Sequence, residues 1–219
     1  MNPLVLMLVL TFVFTKIGHA KDPFYPLYVL SGILCWNAFA QSLLNGSHSI
    51  PNNGGLLRKV KVPQWIFPSV SVFSSLVNMT FALFPFAGLA LVLGLHISIN
   101  LLLLPVLLLL FLSFLLGLVL IVSTVNVLFR DVGHMLESGM LILFYSAPIA
   151  YPIDMIHEKY RFLLALHPIF YFLKGFRTVL CSYPVVWSDW LAMGALSLLA
   201  LAIGAWTHRA LKDRIYYYL

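Results

Sequence analysis

The sequence is poor in charge, in cysteine and in the short motifs that mark a soluble catalyst. Only 9% of its residues are Asp, Glu, Lys or Arg, 62% are hydrophobic and the mean hydropathy is +0.98. A soluble chain of this length cannot bury so much apolar surface in one core, so the bilayer is its solvent. Its two cysteines are Cys35, inside an apolar run, and Cys181, near a predicted helix end. With no CxxC and no Cys/His cluster, they indicate neither a disulfide framework nor a metal site. There is no GxxxxGK[ST], hence no phosphate-cradling loop and no ATP hydrolysis by that mechanism; GxSxG is missing too. Ser47-His48 lacks an obvious acid, and His134 with Glu137, at i and i+3, lacks a third ligand nearby, so the pair reads as a hydrated helix end. The formal net charge of +6 sits mostly in loops and helix ends. It reads as membrane orientation and headgroup contact, not as nucleic-acid binding.

What is present is a series of long apolar runs. From Asn100 to Ala150 the chain is almost wholly apolar, more than twice what a helix rising about 1.5 Å per residue needs to cross a core of about 30 Å. It must fold back, and Arg130 and Asp131, costly at the centre of a span, mark where it surfaces. Spans are expected over Tyr25 to Leu44, Trp65 to Leu95, Leu101 to Thr124 and Trp187 to Thr207. A fifth begins at Ser138, after a turn from Arg130 to Glu137, and is cut short by Pro148 and Pro152. The apolar start, Leu4 to Phe14, is about half the length of a span. The fold class is therefore an all-α integral membrane protein, one transmembrane domain over residues 1–219 with about six spans. Asn45 to Pro63 is the most loop-like stretch: Asn-Gly, Pro-Asn-Asn-Gly-Gly, then the basic amphipathic piece Leu56 to Pro63. Between Asp154 and Tyr183 the pattern is amphipathic, with Leu166, Ile169, Phe170, Leu173, Phe176 and Leu180 on one face. His167-Pro168 splits it into two short helices. Tyr25 and Tyr28 read as headgroup anchors; Trp36 is open between anchor and sugar contact.

Asn126 to His134 (Asn-Val-Leu-Phe-Arg-Asp-Val-Gly-His), the run into Pro-Ile-Ala-Tyr-Pro, and the later Leu-His-Pro-Ile-Phe-Tyr with Gly-Phe-Arg resemble the permease subunit of type-2 ABC exporters. The likeness is nearest to the branch that moves lipid-linked polysaccharides such as O-antigen, capsule or teichoic acid, and it covers nearly the whole chain. It implies a coupling helix at Asn53, Leu56, Leu57, Arg58, Lys59, Lys61 and Pro63 that docks on a separate ATPase subunit, and a cytoplasmic turn at Phe129, Arg130 and Asp131. It implies an exit gate, a re-entrant or interfacial helix pair before the last span, with Pro148, Tyr151, Pro152, Tyr171 and Phe172 along the substrate path. It implies no bound metal or cofactor, ATP and Mg in the partner ATPase, a homodimer, and residence in the bacterial inner membrane. Relatives carry an interfacial helix ahead of the Asn-Pro-Leu that stands here as Asn2 Pro3 Leu4, so the functional frame is expected to extend upstream of Met1. Lys and Arg divide almost evenly between the two sides, so charge alone orients the chain weakly; the resemblance puts Arg58, Lys59, Lys61 and Arg130 in the cytoplasm. Two other readings stay open: a permease for a small amphiphile or drug, or a membrane-embedded enzyme on lipid-linked sugars, for which Asp154 and Glu158 are the one carboxylate pair. A broken helix followed by an amphipathic pair argues against a mere anchor.

Overall fold

A computed structural model describes residues 24–60, 62–95, 98–149, 151, 157 and 161–218. The described residues form helices α1 (Tyr25–Ser47), α2 (Ser49–Asn52), α3 (Gly54–Lys59), α4 (Ile66–Val92), a 3-10 turn (Ile99–Leu103), α5 (Leu104–Leu128), α6 (Asp131–Ser146), α7 (Arg161–Ala165), α8 (Phe170–Leu180) and α9 (Trp187–Tyr218). Among the described residues four stretches are long and apolar enough to cross a membrane: Tyr25–Ser47, Ile66–Val92, Ile99–Leu128 and Trp187–Ile215. The expected short first span lies outside the described residues. The fifth is a helix of 16 residues, below spanning length.

Three boundaries differ from expectation. The surfacing turn is confined to Phe129 and Arg130, and the helix starts at Asp131, whose acid suits the positive end of a helix. Asn45-Gly46 lies inside α1, and the stretch expected to be a loop is mostly helical. Gly46 serves packing there: a Cβ on it would lie 2.3 Å from Val119 Cγ1. The last span, expected to end at Thr207, continues in α9 through the basic stretch from His208 to Arg214. Serines in α4 return their hydroxyls to the helix, Ser69 to the Trp65 carbonyl at 2.8 Å and Ser75 to that of Ser71 at 3.0 Å, so they carry no unmet donor into an apolar setting. The most apolar window of α1 is 72% buried and that of α4 only 17%. The first is packed within protein, and the second turns most of its surface outward, as a lipid-facing helix does.

The helices are shared between two compact units, one within residues 1–37, 79–107 and 143–190, the other within 38–78, 108–142 and 191–219. In the second unit α5 and α9 pack in parallel. Ser197 donates to the Leu110 carbonyl at 2.8 Å, Gly204 lies against Gly117, and His208 Nδ1 meets Thr124 Oγ1 at 3.2 Å. The stripe of small residues permits this approach: a Cβ on Gly204 would stand 2.3 Å from the Gly117 oxygen, and one on Gly117 would stand 2.2 Å from the Ala200 carbonyl carbon. A side chain larger than hydrogen must push the backbones apart. Gly204→Val is expected to lower stability by about 1–3 kcal/mol or more, whereas Gly194→Ala, with nothing within 4 Å of the added carbon, leaves it unchanged. Thermal unfolding of the two variants in detergent checks the contrast.

Candidate functional site

The first polar cluster lies in the second unit, at the α1 and α5 ends. Asn126, 2% exposed, donates through Nδ2 to the Ser47 carbonyl at 2.9 Å and accepts from the Gly133 amide at 2.8 Å. One side chain thus satisfies a carbonyl at the end of α1 and an amide in the first turn of α6, groups that helix geometry leaves without partners. Gly133 leaves room for the His48 ring, since a Cβ there would stand 2.5 Å from His48 Cε1 and would push the ring aside. His48 and His134 flank Glu137, at 3.8 Å and 3.6 Å. The sequence supplied two members of that group; the fold adds His48. Among the described residues no group of three such side chains is placed to hold a metal ion.

Next to this cluster, Asn53 joins α2 to α3. Its side chain donates to the Ser49 carbonyl at 2.8 Å, and its own carbonyl takes the amides of Leu56 and Leu57 at 3.0 Å. Leu57 is buried with Ile50, Val127 and Ile215, so it anchors α3 to its unit. Leu56, Lys59 and Pro63 are exposed, and Lys61 lies outside the described residues. Phe129, Arg130 and Asp131 are exposed, and no ion pair of Arg130 or Asp131 is present among the described residues. Arg130 and His134 line, with His48, Asn52 and Asn126, a cavity of about 390 Å³.

The second cluster belongs to the first unit. α6 stops at Ser146, and Pro148 is buried just beyond it. Tyr151, half-buried, donates to the Ser146 carbonyl at 3.1 Å, while its own carbonyl accepts from the Tyr28 hydroxyl at 3.1 Å. Pro152, like Asp154 and Glu158, lies outside the described residues. Tyr171 is half-buried and meets Phe170 edge-on at 5.4 Å. Phe172 has no exposed surface and serves as core. Leu166 departs from the expected apolar face and is 76% exposed, because the break at His167-Pro168 ends the phase that α8 starts afresh. Trp36, left open by the sequence, is buried with its ring edge-on to Phe144 at 5.4 Å.

Helix α8 is buried over most of its surface, with only Tyr171 and Lys174, one turn apart, keeping part of theirs. Of its residues, Phe170, Phe172, Leu173, Gly175, Phe176, Arg177, Thr178, Val179 and Leu180 are all buried, which an interfacial helix with one wet face would not show. Lys174 reaches Asp189 at 3.1 Å and lies over the Phe170 ring. Arg177 donates to the carbonyls of Pro148 and Ile149 at 2.6 and 2.9 Å. In the sequence Arg177 stands only as the last residue of the Gly-Phe-Arg segment; its reach to the break after α6 is visible only in the fold. At the far end of α8, Asn100 from the 3-10 turn donates to the carbonyls of Thr178 and Tyr183 at 3.3 and 3.0 Å.

Residues 1–181, which include Asn126, the α2–α3 segment, the break after α6 and Arg177, match the ABC-2 type transporter family. The chain belongs to the ABC-2 type transporter family. It is 29% identical over 204 residues to the O-antigen export system permease protein RfbA of Myxococcus xanthus, covering 92% of this chain and 76% of that protein. It is also 27% identical over 169 residues to a protein of the same name from Klebsiella pneumoniae, covering 77% of this chain and 65% of that one. The chain therefore spans just under two thirds of the Klebsiella relative's length. Family membership and the four span-length helices make this ABC-2 transporter chain a multi-pass membrane protein.

His167, at the break between α7 and α8 and outside all four span-length helices, gives this ABC-2 chain a pH dependence. Its Nε2 meets the Leu143 carbonyl at 3.1 Å and its Nδ1 accepts from the Ile169 amide at 3.4 Å, a pattern met by the neutral Nε2-H tautomer. Burial pushes its pKa below the ordinary 6.5, and the bond to Leu143 draws it back only in part. In the window below 6.5 and above the folded value, the unfolded chain binds more protons, so stability falls as pH drops through that window. His167→Gln, which keeps the donor and does not titrate, should flatten this acid limb in thermal unfolding from pH 7 to pH 5.

Proposed function

We propose that the chain is the permease subunit of an ABC exporter that carries a lipid-linked polysaccharide across the bacterial inner membrane. It works as a homodimer with a separate ATPase subunit that holds ATP and Mg. The observation that carries this reading is the buried helix α8 beside the truncated helix α6, in a membrane chain of a transporter family. A helix of 11 residues cannot cross a bilayer, and irregular backbone is tolerated at membrane depth only inside protein or along a cavity. We therefore assign α7 and α8 to a re-entrant pair before the last span, within a total of about six spans. The relatives' names, O-antigen export permeases, support a glycan cargo. Tyr151 and Tyr171 retain surface and are the aromatic candidates along the path, while Phe172 supports them from the core.

The α2–α3 segment is the proposed contact with the ATPase. Leu57 ties it to its own unit, and the exposed Leu56 and Lys59 are free to meet a partner. Closure of the ATPase on ATP would move this segment, provided the closed state binds ATP more tightly than the open one. Replacing Arg58, Lys59 and Lys61 together by Glu should abolish coupled export and leave membrane insertion intact. Normal transport with retained ATPase binding in that variant sinks the coupling assignment.

Cargo and gate are tested separately. Copurification of an ATPase subunit in nanodiscs, with ATP turnover stimulated by a lipid-linked glycan, is the expected result; stimulation by small amphiphiles alone would overturn the polysaccharide assignment. Pro148→Ala with Pro152→Ala restores two backbone donors and removes two ring clashes, so α6 should lengthen by about a turn. Export should fall while the fold and ATPase association persist. Uniform labelling of cysteines placed from Tyr151 to Leu180 by an impermeant reagent would mean a freely solvated segment and would end the gate assignment.

A further inference from the structure

Arg177 occupies a position that ordinary helix chemistry does not explain. A cation in the last turn of a helix usually reaches its own carbonyls or extends to water. Here the side chain is buried, 4% exposed, and turns away from its own helix. Nη2 donates to the Pro148 carbonyl at 2.6 Å and to the Ile149 carbonyl at 2.9 Å. These two carbonyls lie just beyond Ser146, the last residue of α6. The guanidinium also lies 3.6 Å from the centroid of the Tyr28 ring. One turn further along α1, Gly32 makes the room: a Cβ there would stand 3.1 Å from the Ile149 oxygen and 3.3 Å from Arg177 Nη2.

Among the described residues no countercharge stands beside this buried guanidinium, the nearby Asp189 being the partner of Lys174, and Nε is buried without a hydrogen-bond partner. The charge is balanced by carbonyl dipoles and a ring face, which hold it less firmly than a buried ion pair would. A buried cation held so incompletely is costly to keep and easy to release. Its partners come from the break after α6 and from α1, so the side chain ties both to α8 within one unit.

We propose that Arg177 is a releasable latch, a positioning residue that holds α8 against the Pro148-Ile149 break and must let go of both carbonyls for the path to open. The proposal rests on the reading of α7 and α8 as an exit gate, and its test does not need the cargo. Purified chain is reconstituted in liposomes, and passive efflux of a trapped anionic dye is measured without ATP. Arg177→Lys keeps the charge but replaces a planar fork with a point donor that cannot hold both carbonyls and lie flat on Tyr28. Monodisperse Arg177→Lys is expected to leak about tenfold faster than wild type, the factor for losing one charge-assisted hydrogen bond. Gly32→Ala leaves Arg177 in place but crowds its Nη2 and the Ile149 oxygen, and should raise efflux in the same direction. A merely structural arginine would give variants that either fail to fold or stay as tight as wild type. Wild-type efflux in the folded variants overturns the latch; should one variant not fold, the other decides. Absence of glycan-stimulated ATP turnover in the wild-type complex would remove the exporter reading without touching the dye result.

Discussion

Every backbone carbonyl and amide in a lipid-facing chain must find its partner within the protein, and that constraint shapes this structure wherever a helix ends. Within a helix the requirement is met automatically. At the ends it falls to side chains. Asn126 serves the close of α1 and the opening of α6, Tyr151 and Arg177 serve the close of α6, and Asn100 serves the close of α8. Asn126, Arg177 and Asn100 each reach a carbonyl far away in sequence and so also fix one segment against another, while Tyr151 closes its turn locally on Ser146. For those three, helix termination and tertiary positioning are the same set of bonds.

The long helices were legible because composition and length suffice for them. A run such as Leu101 to Thr124 has no alternative to being a span, and the observed stretch Ile99–Leu128 extends it only at the ends. The misread segments share one physical cause. Asn45-Gly46 is a turn signal in water, where unpaired backbone groups bond to solvent. In an apolar setting the helix keeps its own bonds and overrides that preference, and the glycine is retained for its closeness to Val119. The same holds for Gly133, whose place in the family signature was visible in sequence but whose reason, the His48 ring against it, was not. Leu166 was assigned to the wrong face because one phase was carried through a break that resets it.

Charge counting orients the chain weakly for a related reason. Lys174 and Arg177 are two of the cations that make the division between the two sides nearly even when each is taken to face water. Lys174 is paired with Asp189, and Arg177 is buried against two carbonyls. The positive-inside tendency concerns residues in loops and near span ends. A cation inside a packed helix pair belongs to a different account, and no count by residue type can separate the two. Burial can.

The two polar clusters differ in what holding them costs. Asn126 is neutral and buried, and both of its bonds are well formed at 2.8 and 2.9 Å, so the joint among α1, α5 and α6 carries no stored electrostatic penalty. Arg177 keeps a full charge out of water on carbonyl dipoles and a tyrosine face. Removing a well-satisfied neutral bridge leaves unmet groups and gains nothing. Releasing an incompletely satisfied charge gives back part of its hydration. A rigid transmission joint calls for the first kind of contact and a gate for the second. The distribution of charge between the clusters thus assigns stiffness to the α1–α5–α6 joint beside α2 and α3, and release to the end of α8.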